Sequence, residues 1–256
     1  VVGRLAAEGP DQLIVIFRPA NARPVVSQVS FTGNQVLPFQ PLQIAMNAVA
    51  IGQTYTEERI RQLLDTTIRP MYEERGRLQV SFPKISTRPA AENKGLDLTI
   101  EVADGPSFDF GDIVIRGVAD TRSLYQALQL KKDDLANFKE VEAGLARLKA
   151  ALRRQGYLKC DATYTRRLRP ASSADARNLV DLDVRVTDGP RYSFASLTIQ
   201  GLDIISEPAV RKAWQMEPGQ PFNDEYPDLF LKQAPEWFDD LGETKSIIKP
   251  NDQTLT

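Results

Sequence analysis

The stretch LDLTIEVADGPSFDFGDIVIRG, residues 96–117, returns 84 positions later as VDLDVRVTDGPRYSFASLTIQG, residues 180–201. Both copies contain Asp-Gly-Pro, and both end in Ile-x-Gly. Apolar and polar residues alternate before Asp-Gly-Pro, which is typical of a strand with one buried face. Proline donates no backbone hydrogen bond and glycine tolerates turn dihedrals, so this strand ends there and a second one follows. We interpret the stretch as the boundary between two modules of a repeat array.

The composition excludes several kinds of site. The 256 residues carry 32 basic and 34 acidic side chains, so a mixed, solvated surface is favoured over one built for nucleic acid or an anionic membrane. Because there is no histidine and Cys160 is the only cysteine, His/Cys zinc sites, histidine-based triads and intrachain disulfides are excluded. No apolar run approaches the roughly 20 residues of a membrane-spanning helix, and no signal peptide is present. We expect the chain to be a piece of a longer protein.

The repeat divides the chain into four segments. Residues 1–23 hold a strand at 13–17, with 1–5 as its possible partner, and we interpret them as the closing hairpin of a truncated repeat. An independent hairpin is the alternative. Three repeats follow at 24–105, 106–189 and 190–256, and the third is expected to lack its last strand.

Each repeat is predicted to have the order β-α-α-β-β. In the first, Thr54-x-x-Glu57 resembles a capping box for the second helix, and Pro70 is expected to kink that helix. The first repeat is predicted to have strands at 25–31, 78–82 and 96–102, with a polar loop at 84–95. The second has strands at 110–116, 157–164 and 179–186, with a loop at 166–178. The third has a strand at 194–200 and helices beginning at Ser206 and Asn223.

These repeats resemble the POTRA domain. An apolar strand ends in glycine at Gly33, Gly117 and Gly201, and the second helix runs into Gly-Tyr at Gly156-Tyr157, with Gly76 in the matching place. The third repeat departs from the pattern, with Gly242-Glu243 in place of Gly-Tyr and with Pro227 and Pro235 in its second helix. The resemblance implies an α+β fold in which two helices pack on a three-stranded mixed sheet, the repeats together forming an elongated arm.

Tandem POTRA domains look like the periplasmic arm of outer-membrane barrel proteins of the BamA and TamA type, or of two-partner secretion transporters. That family inserts or exports β-rich polypeptides and is not enzymatic. The resemblance therefore implies a binding arm without cofactor or metal. Its partners would be unfolded β-rich polypeptides, accessory subunits of an assembly complex and a C-terminal membrane barrel of the same protein, with no role for nucleic acid. The alternative is an architectural arm that docks folded envelope or division-complex proteins and never contacts clients.

Edge strands are the candidate client-binding sites. In the POTRA arrangement the fourth element lies at an open sheet edge, where an extended client could add a strand through backbone hydrogen bonds. The alternative is a solvated edge that charged residues protect. Residues 245–249 would form the third such edge. The candidate residues are Leu78, Gln79, Val80, Ser81 and Phe82 in the first repeat, and Leu158, Lys159, Cys160, Asp161 and Ala162 in the second.

Other residues have both a structural interpretation and a functional one. Cys160 alternates with Leu158 and Ala162, which favours a small buried side chain over a reactive thiol. A solvated loop is favoured over headgroup or partner binding for Arg166, Arg167 and Arg169. A core position is favoured over a client groove for Trp214, Trp237 and Phe238. The pairs Asp133-Asp134 and Asp239-Asp240 lack the further ligand that metal binding or acid/base chemistry would need.

Overall fold

The computed structural model describes residues 2–9, 12–18, 24–90, 95–173, 176–202, 206–233 and 245–250. The chain divides into two compact units, one of Val1–Phe108 with Leu135–Phe138 and the other of Asp109–Asp134 with Lys139–Thr256. Within the described ranges, every helix is too short or too polar to cross a membrane.

The first unit begins with an antiparallel hairpin of β1 (Val2–Gly9) and β2 (Gln12–Arg18). The strand predicted at 13–17 lies within β2. Its partner β1 is longer than the sequence indicated.

The first repeat has the predicted mixed sheet. Its central strand β5 runs parallel to β3 and antiparallel to β4. Apolar residues from the sheet and the helices, such as Val29, Met46 and Ile100, are fully buried between the two layers. The elements are β3 (Val26–Thr32), α1 (Phe39–Ala50), α2 (Glu57–Leu63), a π-helical turn (Leu64–Ile68), α3 (Arg69–Glu73), β4 (Ser81–Pro89) and β5 (Leu96–Ala103).

The second repeat has the same topology, with β8 between a parallel β6 and an antiparallel β7. Val180, Val184 and Leu148 are fully buried in its core. The α+β architecture of helices on three-stranded mixed sheets is therefore confirmed for two tandem repeats. The elements are β6 (Asp109–Arg116), α4 (Arg122–Leu128), α5 (Phe138–Arg153), β7 (Asp161–Arg169) and β8 (Leu179–Thr187).

The second helical segment of the first repeat contains one residue more than α5. Successive buried residues on the core face are separated by four, four and four positions in the first repeat, and by four, three and four positions in α5. The second spacing, 4-3-4, matches a regular α-helix, and the first, 4-4-4, does not. The π-helical turn accommodates the extra residue. Pro70 is the second residue of α3, directly after this turn, so the distortion predicted there takes the form of a π turn. The paired residues are Ile60 with Val141, Leu64 with Leu145, Ile68 with Leu148, and Tyr72 with Leu152.

Two features of the predicted boundaries were wrong. Strands β4 and β7 begin three to four residues later than predicted and continue through Lys84 and Arg166, which were assigned to polar loops. Polar residues on the solvent face of an edge strand have the composition of a loop, and this caused the error. The helix cap is Thr56 rather than Thr54, because the Thr56 hydroxyl accepts the Arg59 N–H at 3.2 Å.

The third repeat contains α6 (Ser206–Ala213) and α7 (Tyr226–Gln233). The strand predicted at 194–200 was wrong: these residues have no regular structure, and Ser193 alone forms an isolated bridge, with Pro221. Residues 245–249 likewise form no strand. A strand persists only when a neighbour satisfies its backbone groups, and this repeat was expected to lack its last strand, which is the central partner in the other two repeats. Outside the described residues lie Pro235, Trp237, Phe238, Asp239, Asp240 and Gly242.

Candidate functional site: the open sheet edges

One edge of each sheet is closed by its own repeat. On β3, the Val29 N–H donates to Asn47 Oδ1 at 3.2 Å, and Gln43 Nε2 donates to the Val29 carbonyl at 3.3 Å. On β6, the Tyr125 hydroxyl accepts the Ile115 N–H at 3.0 Å and donates to the carbonyl of Ile113. Side chains of α1 and α4 therefore occupy backbone groups along these edges. The opposite edges, β4 and β7, are the candidate sites.

The structure places the predicted residues of the first repeat at the start of β4. Ser81 and Phe82 belong to the strand, whereas Leu78, Gln79 and Val80 lie in the turn before it. The side chains of Leu78, Val80 and Phe82 are buried, so they belong to the core. Only backbone groups, together with the exposed Gln79 and Ser81, face outward here.

The second repeat has the same arrangement. Asp161 and Ala162 belong to β7, whereas Leu158, Lys159 and Cys160 precede it. Cys160 and Ala162 are buried, and the exposed positions are Lys159 and Asp161. The Cys160 thiol donates to the Lys149 carbonyl at 3.6 Å, and burial raises its pKa. These properties confirm Cys160 as a small core residue.

Two arginines lie against the start of β4. Arg69 Nη1 donates to the Val80 carbonyl at 2.9 Å, and Arg61 Nη1 donates to the Phe82 carbonyl at 3.3 Å. The Arg69 guanidinium also lies 5.8 Å from the centre of the Phe82 ring. A groove of about 260 Å³ lies between the helices and the strand, and its lining is Arg61, Asp65, Arg69, Ser81, Phe82 and Pro83.

The two open edges differ in their backbone donors. Strand β4 contains Pro83 and Pro89, neither of which has an N–H to offer an incoming strand. Its Lys84 lies opposite Glu101 on β5, an arrangement that protects an edge with charge. Strand β7 has the sequence DATYTRRLR and contains no proline, so each of its residues carries an N–H.

The arginines of β7 are held by the sheet. Asp181 on β8 accepts hydrogen bonds from Arg167 Nη2 at 2.9 Å, Arg169 Nη2 at 2.6 Å and the Asp112 N–H at 2.9 Å. Burial opposes the charged form, but these donors outweigh it and lower the pKa of Asp181. A Cβ on Gly111 would collide with Asp181 Oδ1 and Arg169 Nη2. Arg167 and Arg169 thus lie on a strand and stabilise it, contrary to the loop assignment.

The remaining candidates have structural roles where they are described. Trp214 packs edge-on against Tyr226 and Phe230, with ring centres 4.8 and 5.2 Å away, as expected of a core aromatic residue. Asp133 accepts from Arg177 Nη2 at 2.6 Å. Among the described residues, no group of three or more Cys, Asp or Glu side chains could hold a metal ion.

The backbone hydrogen bonds that join the end of the second helix to the segment after the last strand were not predicted from the sequence. We call this contact the backbone joint. In the second unit, the Tyr192 N–H donates to the Gly156 carbonyl at 2.8 Å, and the Phe222 N–H donates to the Tyr192 carbonyl at 3.0 Å. Gly156 has φ +96°, and a Cβ there would collide with the Tyr192 carbonyl. The first unit repeats the pattern, since the Phe108 N–H donates to the Gly76 carbonyl at 2.9 Å. The sequence signal was the aromatic residue two places before Phe110 and Phe194.

Comparison with known proteins shows what the repeats are similar to. Residues 108–189 match the family model for POTRA, described as a surface antigen variable number repeat. The crystal structure of POTRA domains 3–5 of Haemophilus influenzae BamA matches with a TM-score of 0.51 and 19% identity, covering 84% of this chain and 85% of that one. The N-terminal domain of Omp85 from Thermosynechococcus elongatus matches with a TM-score of 0.29 and 16% identity, covering 83% and 85% of the two chains.

Proposed function

We propose that this chain, which is built from tandem POTRA domains, is the periplasmic arm of an outer-membrane β-barrel protein. It receives unfolded outer-membrane or secreted polypeptides and docks accessory subunits beside the barrel. POTRA domains are generally non-catalytic scaffolds, and the arm therefore acts by binding. The observation that carries the proposal is the pair of strands β4 and β7, each of which lies at one edge of its three-stranded sheet.

Strand addition is the binding mode that these edges favour. Backbone groups make most of the contact when a strand is added, so affinity does not require one client sequence. The buried Phe82 and Ala162 point away from such a client. A receptor for many polypeptides needs this weak sequence preference.

A titration of the full chain tests the proposal. The probe is a peptide that alternates valine and threonine between terminal lysines, followed through the backbone amides by NMR. We expect saturable changes in amide chemical shift along β7 and along the part of β4 that follows Pro83. The changes in the central strands β5 and β8 should be much smaller. Saturable binding that leaves both edge strands unshifted would reject client binding by strand addition.

The second candidate function is docking of a folded envelope or division-complex protein. It is favoured by α1, whose sequence FQPLQIAMNAVA contains no charged residue and whose Ile44 is 71% exposed. Exposed apolar surface on a helix is suited to a partner protein. Docking would be supported if the chain retains an envelope protein, if Ile44→Asp abolishes this retention, and if the control Gln40→Asp keeps it. Peptide binding should be unchanged in both variants. Equal retention by both variants would reject it.

A further inference from the structure

The second helical segment contacts the candidate edge strand differently in the two repeats. Arg61 and Arg69 are each held by an acid one turn earlier, so their free nitrogen is directed at the strand. Nε and Nη2 of Arg61 donate to Glu57 Oε1 at 2.9 and 2.7 Å. Nε and Nη2 of Arg69 donate to Asp65 Oδ1 at 3.0 and 2.7 Å. The remaining Nη1 atoms bond the carbonyls of Phe82 and Val80.

The second repeat has different residues at these positions. When the repeats are aligned through their buried helix residues, Arg61 corresponds to Glu142 and Arg69 to Lys149. A glutamate has no N–H with which to cap a carbonyl. The Lys149 ammonium lies 3.9 Å from Asp161 Oδ1. The two positions that carry the arginine caps in the first repeat therefore hold no arginine in the second.

We infer that Arg61 and Arg69 form a latch that blocks strand addition at the start of β4 and leaves β7 as the preferred receiving edge. The inference rests on the proposed function and specifies how that site is regulated. An incoming N–H would find the carbonyls of Val80 and Phe82 already bonded to guanidinium groups, which also occupy the approach. Because both arginines are partly exposed, a client can displace them at a cost in affinity.

The test compares the full chain with the double variant Arg61→Met/Arg69→Met, using the valine-threonine peptide and amide NMR. Methionine keeps much of the apolar stem and removes the donors. The control Arg59→Met removes one positive charge, as each single variant below does, from an exposed arginine of α2. The single variants Arg61→Met and Arg69→Met give the same comparison with less disturbance of the fold. Unchanged amide shifts in β5 verify the fold of each variant.

We expect the peptide to shift the β7 amides in every variant, and to shift residues 80–82 at lower peptide concentration when the latch is removed than in the wild type. Affinity at β4 should rise roughly five-fold for each guanidinium removed, as for loss of one partly exposed competing hydrogen bond of ordinary strength. If residues 80–82 respond equally in the wild type, or fail to respond in the double variant while β7 binds, the latch is rejected and the proposed function stands. If the double variant binds at neither edge, both are rejected.

Discussion

The Arg154 guanidinium donates two hydrogen bonds to Glu225, Nε to Oε2 at 2.7 Å and Nη2 to Oε1 at 3.1 Å. The pair links the end of α5 to the start of α7 within the second unit, beside the backbone joint of Gly156. It is partly exposed on both sides, so solvent and salt weaken it.

We predict that this ion pair contributes little to the stability of the second unit. A double-mutant cycle with Arg154→Met and Glu225→Gln, measured by thermal unfolding, should give a coupling well below the loss caused by Gly156→Ala. In 1 M salt, where screening acts within about 3 Å, the coupling should vanish. A large coupling that resists salt would contradict this.

The backbone conformation of Gly156 is predicted to contribute more to stability than the ion pair does. Alanine at Gly156 faces both a left-handed φ of +96° and a collision with the Tyr192 carbonyl. Gly219 is a matched control, because its φ is +88° but no atom lies within 4 Å of an added Cβ. Gly219→Ala should cost about 1–2 kcal/mol from the backbone alone. Gly156→Ala should cost at least about 1 kcal/mol more, and equal losses would show that the close approach is unimportant.

Asp181 should make the second repeat sensitive to acid. Its pKa is lowered in the folded state, so its stabilisation is complete above the unfolded value of about 3.9 and is lost as the pH falls through the folded value. At neutral pH, Asp181→Asn should cost about 1–2 kcal/mol.

The pH series separates this effect from a simple packing defect. The difference between wild type and Asp181→Asn should shrink as the pH is lowered from about 4. Asp183→Asn is the control, since Asp183 is 46% exposed and bonds one arginine, Arg116, at 3.0 Å. Its loss should be smaller. A loss for Asp181→Asn that is constant from neutral to acid pH would contradict the account.

The π-helical turn should tolerate a deletion. Removing the exposed Thr66 gives the buried residues of the first repeat the 4-3-4 spacing of α5, so the core face is kept, while Pro70 still kinks the helix at its own position. Removing the exposed Ala146 from α5 shifts buried residues off the core face. Circular dichroism and thermal unfolding should show a folded Thr66 deletion and a strongly destabilised Ala146 deletion. The reverse order would reject the alignment of the two helices.

Periodicity was sufficient to predict the helices and most strands of the first two repeats, since each element has one apolar face, whereas the mixed sheet followed from the POTRA resemblance. It was insufficient at the edges, because Lys84–Pro89 and Arg166–Arg169 are mostly polar, with Ile85 and Leu168 as the exceptions, on strands that face solvent. The Asp181 network was missed for the same reason: its arginines had been assigned to a loop. The π turn becomes visible only when the two helices are compared residue by residue.

The latch also illustrates a limit of sequence reasoning. Glu57 with Arg61, and Asp65 with Arg69, read as ordinary i, i+4 pairs on an exposed helix face. Nothing in that spacing indicates that the remaining guanidinium nitrogens bond Val80 and Phe82. Those contacts depend on how the helix lies over the strand, which is a property of tertiary packing.

The most direct test of client binding is the intermolecular NOE spectrum of the full chain with the labelled valine-threonine peptide. Strand addition brings backbone protons of the peptide and of β7 into regular cross-strand contact. We predict Hα and amide NOEs from the peptide to alternate residues of Asp161–Arg169, with none to the central strand β8. Saturable binding whose NOEs lie on helices α1 or α5 and not on β7 would contradict the account.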